Sequence, residues 1–223
     1  GDHRMAGAQH RAAVSYAHRA SNSVLETYMT GWMSHWAAEV GQSDDATRYL
    51  AQALSLAPPA ARPRLALIQA SVHAYARNKA ACLQALGRAE EAIELDDEPL
   101  WLEAFPFDEM RVTSYRGGCA TDLELADMAL PALKRALPAA PTGLSRLRGR
   151  ILADLAMTHV HGGDIEEACR HAGEAFDVGV GMGSSRLLGR VQEVRRAFPA
   201  SWRTTHLVRE LDDRMMSGFL GHA

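Results

Sequence analysis

The pattern of hydrophobic and polar positions along the chain is that of a string of helices. Alanine, leucine, arginine and glutamate dominate, and runs of β-branched residues are absent. Short clusters rich in glycine, proline, serine or aspartate interrupt the pattern, among them GQSDD, APPAARP, YRGGCATD, HGGD and FPASW. They divide the chain into segments of roughly 12–20 residues, a length typical of helical hairpins. The pattern therefore predicts an all-α protein.

One short motif recurs on the second helix of successive predicted hairpins. It consists of a small residue, an apolar residue four positions later and an alanine three positions after that, so all three share one helix face. The copies are Ala46/Leu50/Ala53, Cys82/Leu86/Ala89, Ala129/Leu133/Ala136 and Ala168/Ala172/Ala175, and Ala13/Ala17/Ala20 fits as the remnant of an earlier unit. The four full copies start 36, 47 and 39 residues apart, near the ~34-residue period of tetratricopeptide repeats.

This repetition predicts a tetratricopeptide-like, right-handed solenoid of four or five helical hairpins with a C-terminal capping helix. We expect the solenoid domain to span residues 21–223, and residues 1–20 to be a helical remnant or a linker. Along one face of the last helix lie Trp202, Leu207, Leu211 and Met215 or Met216. This stripe is predicted to cover the end of the stack, and its use in a homodimer is the alternative.

Two predicted turns follow the same scheme. In HGGDIEEA, glycines 162–163 end a helix where a left-handed residue is required, and Asp164 caps the next helix. In VGQSDDA, Gly41 closes the first helix and Ser43 or Asp44 is predicted to be the cap. Both turns are typical of the two helices of one hairpin.

The stretch HVHGGDIEEACRH contains three histidines and a cysteine, which raises the question of a metal site. His159 and His161 are two positions apart, so on a helix their side chains point about 200° apart and do not hold one ion. Cys169 and His171 have the same spacing, and the H-x-x-x-H spacing of helical zinc sites is absent. A site that joins His161 to His171 across two helices is the alternative. The spacing favours structural histidines, and we predict no metal.

Six stretches carry a resemblance to a known family through their order along the chain. They are GWMSHWAAEVGQSDDATRYLAQALSLA, AYARNKAACLQALGRAEEAIE, FDEMRVTSYRGGC, LPALKRALP, SRLRGRILADLAMTHVHGGDIEEACRHAGEAF and GSSRLLGRVQEVRRAFPA followed by VRELDDRM. From about residue 21 the chain resembles the C-terminal tetratricopeptide-like sensor region of actinobacterial helix-turn-helix transcriptional regulators of the XRE type. The resemblance implies a sensor of a ligand or a protein. It also implies that DNA is contacted only through a separate helix-turn-helix domain, which this sequence does not contain.

A solenoid of this kind has an inner groove lined by the first helix of each unit. The repeat pattern predicts that the groove is lined by Trp32, His35 and Glu39 in the first unit, Arg64 and Tyr75 in the second, Arg111 and Tyr115 in the third, and Arg150, Asp154, Met157 and His161 in the last. This mixed aromatic, basic and acidic lining suits a peptide, a protein segment or a polar small molecule.

Two alternatives stay open for these side chains. Trp32 and Tyr75 either contact a ligand or pack between units. Arg111 and Arg150 either bind a carboxylate through paired hydrogen bonds or are neutralised inside the protein by Glu39 and Asp154. In the first case the groove has a cationic floor and aromatic walls.

Charge and cysteine content limit the partners and the compartment. A formal net charge of −3 does not suggest duplex DNA as a direct partner. No apolar run approaches the ~20 residues of a membrane span, and the first residues, GDHRMAGAQH, lack the apolar segment of a signal peptide. Cys82, Cys119 and Cys169 are widely spread without a CxxC pair, which favours reduced thiols in the cytoplasm.

Motifs of catalysis are missing from the sequence. It contains no GxSxG, no HExxH and no GxxxxGK followed by serine or threonine. GVGMGSS, residues 179–185, has the glycines of a phosphate loop but follows a predicted helix and lacks a lysine, so we interpret it as a flexible linker before a helix at 184–198 that Ser184 or Ser185 caps. We expect a non-enzymatic sensor or interaction domain of a transcriptional regulator, without a cofactor. A free-standing scaffold that binds proteins without a DNA role is the alternative.

Overall fold

The computed structural model describes residues 3–93, 107–142 and 145–220. In chain order the α-helices are α1 (His3–Arg19), α2 (Ser23–Glu39), α3 (Ser43–Leu56), α4 (Arg62–Tyr75), α5 (Lys79–Glu91), α6 (Glu109–Asp122), α7 (Ala126–Ala139), α8 (Arg146–Gly162), α9 (Ile165–Gly181), α10 (Ser185–Ala197) and α11 (His206–Leu220). Single turns of 3-10 helix lie at Pro59–Ala61 and Ala200–Trp202. These three ranges contain no strand, so the predicted all-α class is confirmed. None of their helices is long and apolar enough to cross a membrane.

The turns that follow six of the helices share one backbone conformation. Each contains a residue with positive φ, namely Ser21, Gly41, Arg77, Glu124, Gly163 and Gly183. In each turn the next amide donates to the carbonyl oxygen five positions earlier, over 2.8–3.1 Å, as from Asp164 to His159. This closure satisfies carbonyl groups that the end of a helix leaves without an intrahelical donor. The chain therefore reverses through the same local geometry at all six points.

The turn at HGGD forms as predicted. Gly163 adopts the left-handed conformation with φ of 79°, and the Asp164 side chain accepts a hydrogen bond from the backbone N–H of Glu167. Ser184 caps α10 in the same way by accepting from the N–H of Leu187. Because these side chains replace missing intrahelical partners, each stabilises its helix start by about 1 kcal/mol.

Two local predictions are wrong. Gln42, rather than Ser43 or Asp44, occupies the cap position of α3, and its side chain makes no capping hydrogen bond. The turn closes directly after Gly41, so both predicted caps already lie in the first turn of the helix. Segment 179–185 is not a linker, because α9 continues to Gly181 and its end packs against α10.

The chain groups into two compact units, residues 2–115 and residues 116–223, called here the N-terminal and the C-terminal unit. The boundary falls within α6. In the N-terminal unit α2 contacts α1, α3 and α4, and α4 contacts α5. One core of this unit is built from buried side chains of α2, α3 and α4, including Ala37, Leu50 and Ile68.

The C-terminal unit is organised around α8 and α9. Helix α8 contacts α7, α9 and α10, and α9 contacts α10 and α11 as well. Its largest core contains Phe176 of α9, Val191 of α10 and Val208 of α11, all 2% exposed or less. Removing a buried phenylalanine side chain from such a core typically costs about 3–5 kcal/mol.

The recurring motif lies on the contact face of its helices. All twelve residues of the four full copies, on α3, α5, α7 and α9, are 7% exposed or less. In the remnant copy on α1 only Ala17 is buried, while Ala13 is half-buried and Ala20 is exposed. The motif therefore forms a buried face in the four full copies. Small side chains at these positions allow the neighbouring helix to approach closely.

The apolar stripe of the last helix is covered within the C-terminal unit. Leu211 and Met215 are buried in the core, and Trp202 and Leu207 pack against it half-buried. Met216 is 64% exposed, so Met215 is the methionine that belongs to the stripe. The stripe therefore packs into the core of the C-terminal unit.

Candidate ligand-binding site

Three of the predicted groove residues form an aromatic cluster in the N-terminal unit. The ring of His35 lies 5.0 Å from that of Trp32 on the same helix and 5.5 Å from that of Tyr75 on α4, measured between centroids. Tyr28, which was not predicted, adds a fourth ring 6.1 Å from Trp32. His35 is fully buried, whereas the other three are half-buried. The surface that a ligand can reach therefore belongs to the tyrosines and the tryptophan.

The charged groove residues Glu39 and Arg64 differ in their surroundings. Glu39 is exposed at the last position of α2. Arg64 is only 8% exposed, and its guanidinium carbon lies 5.8 Å from the ring centre of Phe107. This distance is within the range of a cation–π contact. Arg64 is thus engaged within the unit.

Arg111 and Tyr115 lie one turn apart on α6, and both are half-buried. The carboxylate of Asp108 accepts a hydrogen bond from the backbone N–H of Arg111 at 2.7 Å and so supports the start of the helix. The side-chain Nε of Arg111 is buried and has no hydrogen-bond partner in the described part of the chain. A buried donor without an acceptor costs about 1–3 kcal/mol, so an acceptor supplied by a ligand would stabilise this group.

The remaining basic groove residue, Arg150, pairs with the acidic one on its own helix. Nε of Arg150 donates to Oδ2 of Asp154 over 3.4 Å, one turn along α8. Arg190 of α10 donates through Nη2 to Oδ1 of Asp154 at 3.2 Å and to Oδ1 of Asp122 at 2.9 Å. Two arginines and two acids thus compensate each other, as the internal-pairing alternative expects for Arg150.

Burial sets the electrostatics of this cluster. Asp154 is 2% exposed, and the pKa of Asp122 is raised because burial disfavours its charged form more than Arg190 favours it. The nearby negative charge of Asp154 also raises the pKa of Asp122. The arginines therefore stabilise the charges of two carboxylates that have little contact with water.

Helix α6 approaches α8 closely beside the cluster. A Cβ atom added to Gly118 would lie 3.0 Å from Oδ2 of Asp154. One turn further, the buried hydroxyl oxygens of Thr121 and Thr158 lie 2.8 Å apart, and each also lies within hydrogen-bond distance of a backbone carbonyl oxygen one turn earlier on its own helix. The site is thus packed on the α6 side, and Arg150, with 34% of its side chain exposed, provides its solvent-facing edge.

Met157 and His161 complete the predicted set. Met157 is half-buried and packs against the core, and His161 is exposed in the last turn of α8. The four residues on α8 belong to the C-terminal unit, and the seven from Trp32 to Tyr115 belong to the N-terminal unit. Sequence reasoning did not find Arg190 or Asp122. The available signal was Asp154 itself, since an acid among the apolar residues of α8 indicates that cations lie close to it in the fold.

The three cysteines, Cys82, Cys119 and Cys169, lie in the protein interior. None of them forms a disulfide, and all three are buried. Burial raises the pKa of Cys169 to about 11, so its thiolate form is rare at neutral pH.

Comparisons with known proteins add no assignment, because no protein-family model, curated protein or solved structure matches the chain.

Proposed function

We propose that this chain is a non-enzymatic binding domain, a tetratricopeptide-like solenoid that senses a ligand for a helix-turn-helix transcriptional regulator. The burial of all twelve motif residues supports a repeat architecture, because each copy packs a similar face. Contacts of α2 with α3 and α4, and of α8 with α9 and α10, agree with hairpins that stack in chain order. Binding would bias the geometry of a separate DNA-binding domain.

The observation that carries a ligand-binding role is the state of Arg111. The residue is half-buried, and its Nε lacks an acceptor among the described residues. Arg150 differs, because it already pairs with Asp154. We therefore assign ligand contact to Arg111, and a carboxylate is the group that fits a guanidinium best, since it accepts two parallel hydrogen bonds. A peptide C-terminus or an acidic side chain supplies such a group.

A thermal-shift screen tests this assignment. The probes are a pool of short peptides with free C-terminal carboxylates and the same pool with C-terminal amides. A peptide present at 100 times its Kd adds ~2.7 kcal/mol to the free energy of unfolding, which raises the melting temperature measurably. We expect the shift with the carboxylate pool only. Arg111→Gln should abolish the shift and leave the melting temperature of the free protein nearly unchanged.

Arg150→Gln is the matched control. Because Arg150 pairs with a buried acid, its loss should lower stability while the peptide-induced shift persists. A shift that survives in Arg111→Gln, or that disappears only in Arg150→Gln, would contradict the assignment of ligand contact to Arg111.

The separate role of DNA has its own test. The isolated chain is expected to bind duplex DNA weakly and without sequence preference, because its formal net charge is −3. Nanomolar, sequence-selective binding at physiological salt would show that the chain contacts DNA itself.

A further inference from the structure

The hairpin of α8 and α9 brings His159 against His171. The two imidazole rings are nearly parallel, with an angle of 10° between their planes and 5.4 Å between their centroids. The histidines are 6% and 3% exposed, respectively. Glu167 lies one helical turn before His171, and one ring nitrogen of each histidine and a carboxylate oxygen of Glu167 all lie within 4.8 Å of one another.

The hydrogen bonds define which ring nitrogens carry lone pairs. Nδ1 of His171 lies 2.9 Å from the backbone carbonyl oxygen of Glu167. Because a carbonyl only accepts, Nδ1 carries the proton and Nε2 carries a lone pair. Nδ1 of His159 faces the carboxylate of Asp164 at 3.4 Å, and Nε2 of His159 is buried without a hydrogen-bond partner. An unpaired nitrogen in a side chain that is only 7% exposed calls for a ligand.

We propose that His159, Glu167 and His171 form a binding site for a transition-metal ion, with zinc as the best match. Two imidazoles and one carboxylate are a known ligand set of zinc, and water takes the fourth position. The ligand atoms of a tetrahedral zinc site lie about 3.3 Å apart, so separations of up to 4.8 Å must shorten by at most about 1.5 Å when the ion binds. A metal also lies in the plane of each ring that binds it, so one ring must tilt out of the stack.

Arg170 holds the position that the metal would take. Its guanidinium donates to Oε2 of Glu167 at 2.5 Å and to Nε2 of His171 at 2.9 Å. The side chain is 49% exposed and also contacts Glu174 at 2.7 Å. Metal and Arg170 therefore compete for the same lone pairs. The presence of a cation here shows that the cluster stabilises positive charge.

The site escapes a search by sequence spacing. Residue spacing excludes pairs on one helix and leaves His161 as the candidate partner of His171 across two helices. His161 is exposed at the helix end, whereas His159 is buried against α9. The turn closure from Asp164 to the His159 carbonyl, over 2.9 Å, fixes which of the two histidines faces His171.

Zinc titration of the chelator-treated, dialysed chain tests the proposal. We expect calorimetry to show one zinc ion per chain and a higher melting temperature in its presence. His159→Gln and His171→Gln should each weaken zinc binding by more than about 100-fold, because even the partners of metal ligands contribute 10–100-fold. Arg170→Gln should tighten zinc binding severalfold, since it removes the competing cation. Glu167→Gln, at a half-buried position, should weaken binding while the chain stays folded.

His161→Gln is the matched control, because this exposed histidine lies on the same helix end outside the cluster. Its zinc affinity should equal that of the wild type. The proposal is overturned if the wild type binds no stoichiometric zinc, if binding survives both His159→Gln and Glu167→Gln, or if Arg170→Gln weakens it. Circular dichroism of each variant separates lost binding from lost folding. The zinc experiment does not involve Arg111 or the proposed carboxylate ligand, so its result does not depend on the proposed function.

Discussion

Arg190 donates a hydrogen bond to the carboxylate of Asp154 over 3.2 Å and so links α10 to α8 inside the C-terminal unit. Asp154 is 2% exposed, so protein groups rather than water must stabilise its charge. Arg150 contributes a longer contact of 3.4 Å from the same helix. Arg190 also binds Asp122, which makes it the common partner of two buried acids. Its loss leaves both without their best donor.

We expect Arg190→Met to lower the free energy of unfolding by about 2–4 kcal/mol. Removing one partner of a fully buried pair costs about 3–5 kcal/mol, and the cost is smaller here because Arg150 stays beside Asp154. Urea denaturation measures the change. The control is Arg48→Met, since Arg48 pairs with Asp45 on the exposed face of α3 and its loss should leave the denaturation midpoint unchanged. An unaltered denaturation midpoint for Arg190→Met would show that water stabilises the charges of the two acids when Arg190 is absent.

Enlarging the repeated motif should destabilise the protein. Ala168 is fully buried on α9, so Ala168→Leu forces extra atoms between packed helices and should cost on the order of 1–3 kcal/mol. Ala51→Leu, at an exposed position of α3, is the control and should stay within ~0.5 kcal/mol of the wild type. Equal melting temperatures for Ala168→Leu and the wild type would mean that the α9 interface has spare room.

The fold was predictable where small residues carry the signal. The motif face and the turn at Gly163 follow from residue type and helical spacing, because each requires a missing or small side chain. The turns at Ser21, Arg77 and Glu124 have no such signal, since these residues take a left-handed conformation that costs them about 1–2 kcal/mol. Packing of the flanking helices imposes that conformation, and packing is invisible in a short stretch of sequence.

In the candidate sites, too, only some of the contacts could be predicted from the sequence. Arg150 and Asp154 are one turn apart on a helix, so their spacing predicts that they can meet. Arg190 joins them from 36 positions away, and His159 meets His171 only because a turn folds α9 back onto α8. Contacts made across helices depend on the tertiary structure, and the sequence offers many arginines and histidines for each role.

Two glycines should respond to alanine in opposite directions. A Cβ atom on Gly117 of α6 would lie 2.6 Å from Cγ of buried Leu133 and 3.2 Å from its backbone nitrogen, whereas one on Gly87 of α5 would meet nothing within 4 Å. Gly87→Ala should stabilise the protein by about 0.5–1 kcal/mol, because alanine favours the helix. Gly117→Ala should destabilise it by about 1–3 kcal/mol through overpacking. Melting curves of both variants decide this, and a gain for Gly117→Ala would place Leu133 further away.

Acid should weaken the N-terminal unit through His73. Burial, and secondarily the charge of Arg88, lower the pKa of His73 below its usual value. The unfolded chain therefore binds this proton at higher pH than the folded chain, so stability rises with pH. The contribution of neutral His73 is complete above about pH 6.5 and is lost as the pH falls through the lower folded pKa. His73→Gln should reduce the difference in denaturation midpoint between about pH 8 and about pH 5.

Arg88→Gln separates the two causes of that shift. Because burial is the larger cause, this variant should raise the pKa of His73 only partly towards its usual value, as followed by an NMR titration of the ring. A full return to the usual value would make Arg88 the main cause. An acid dependence that is equal in His73→Gln and the wild type would remove His73 from the explanation.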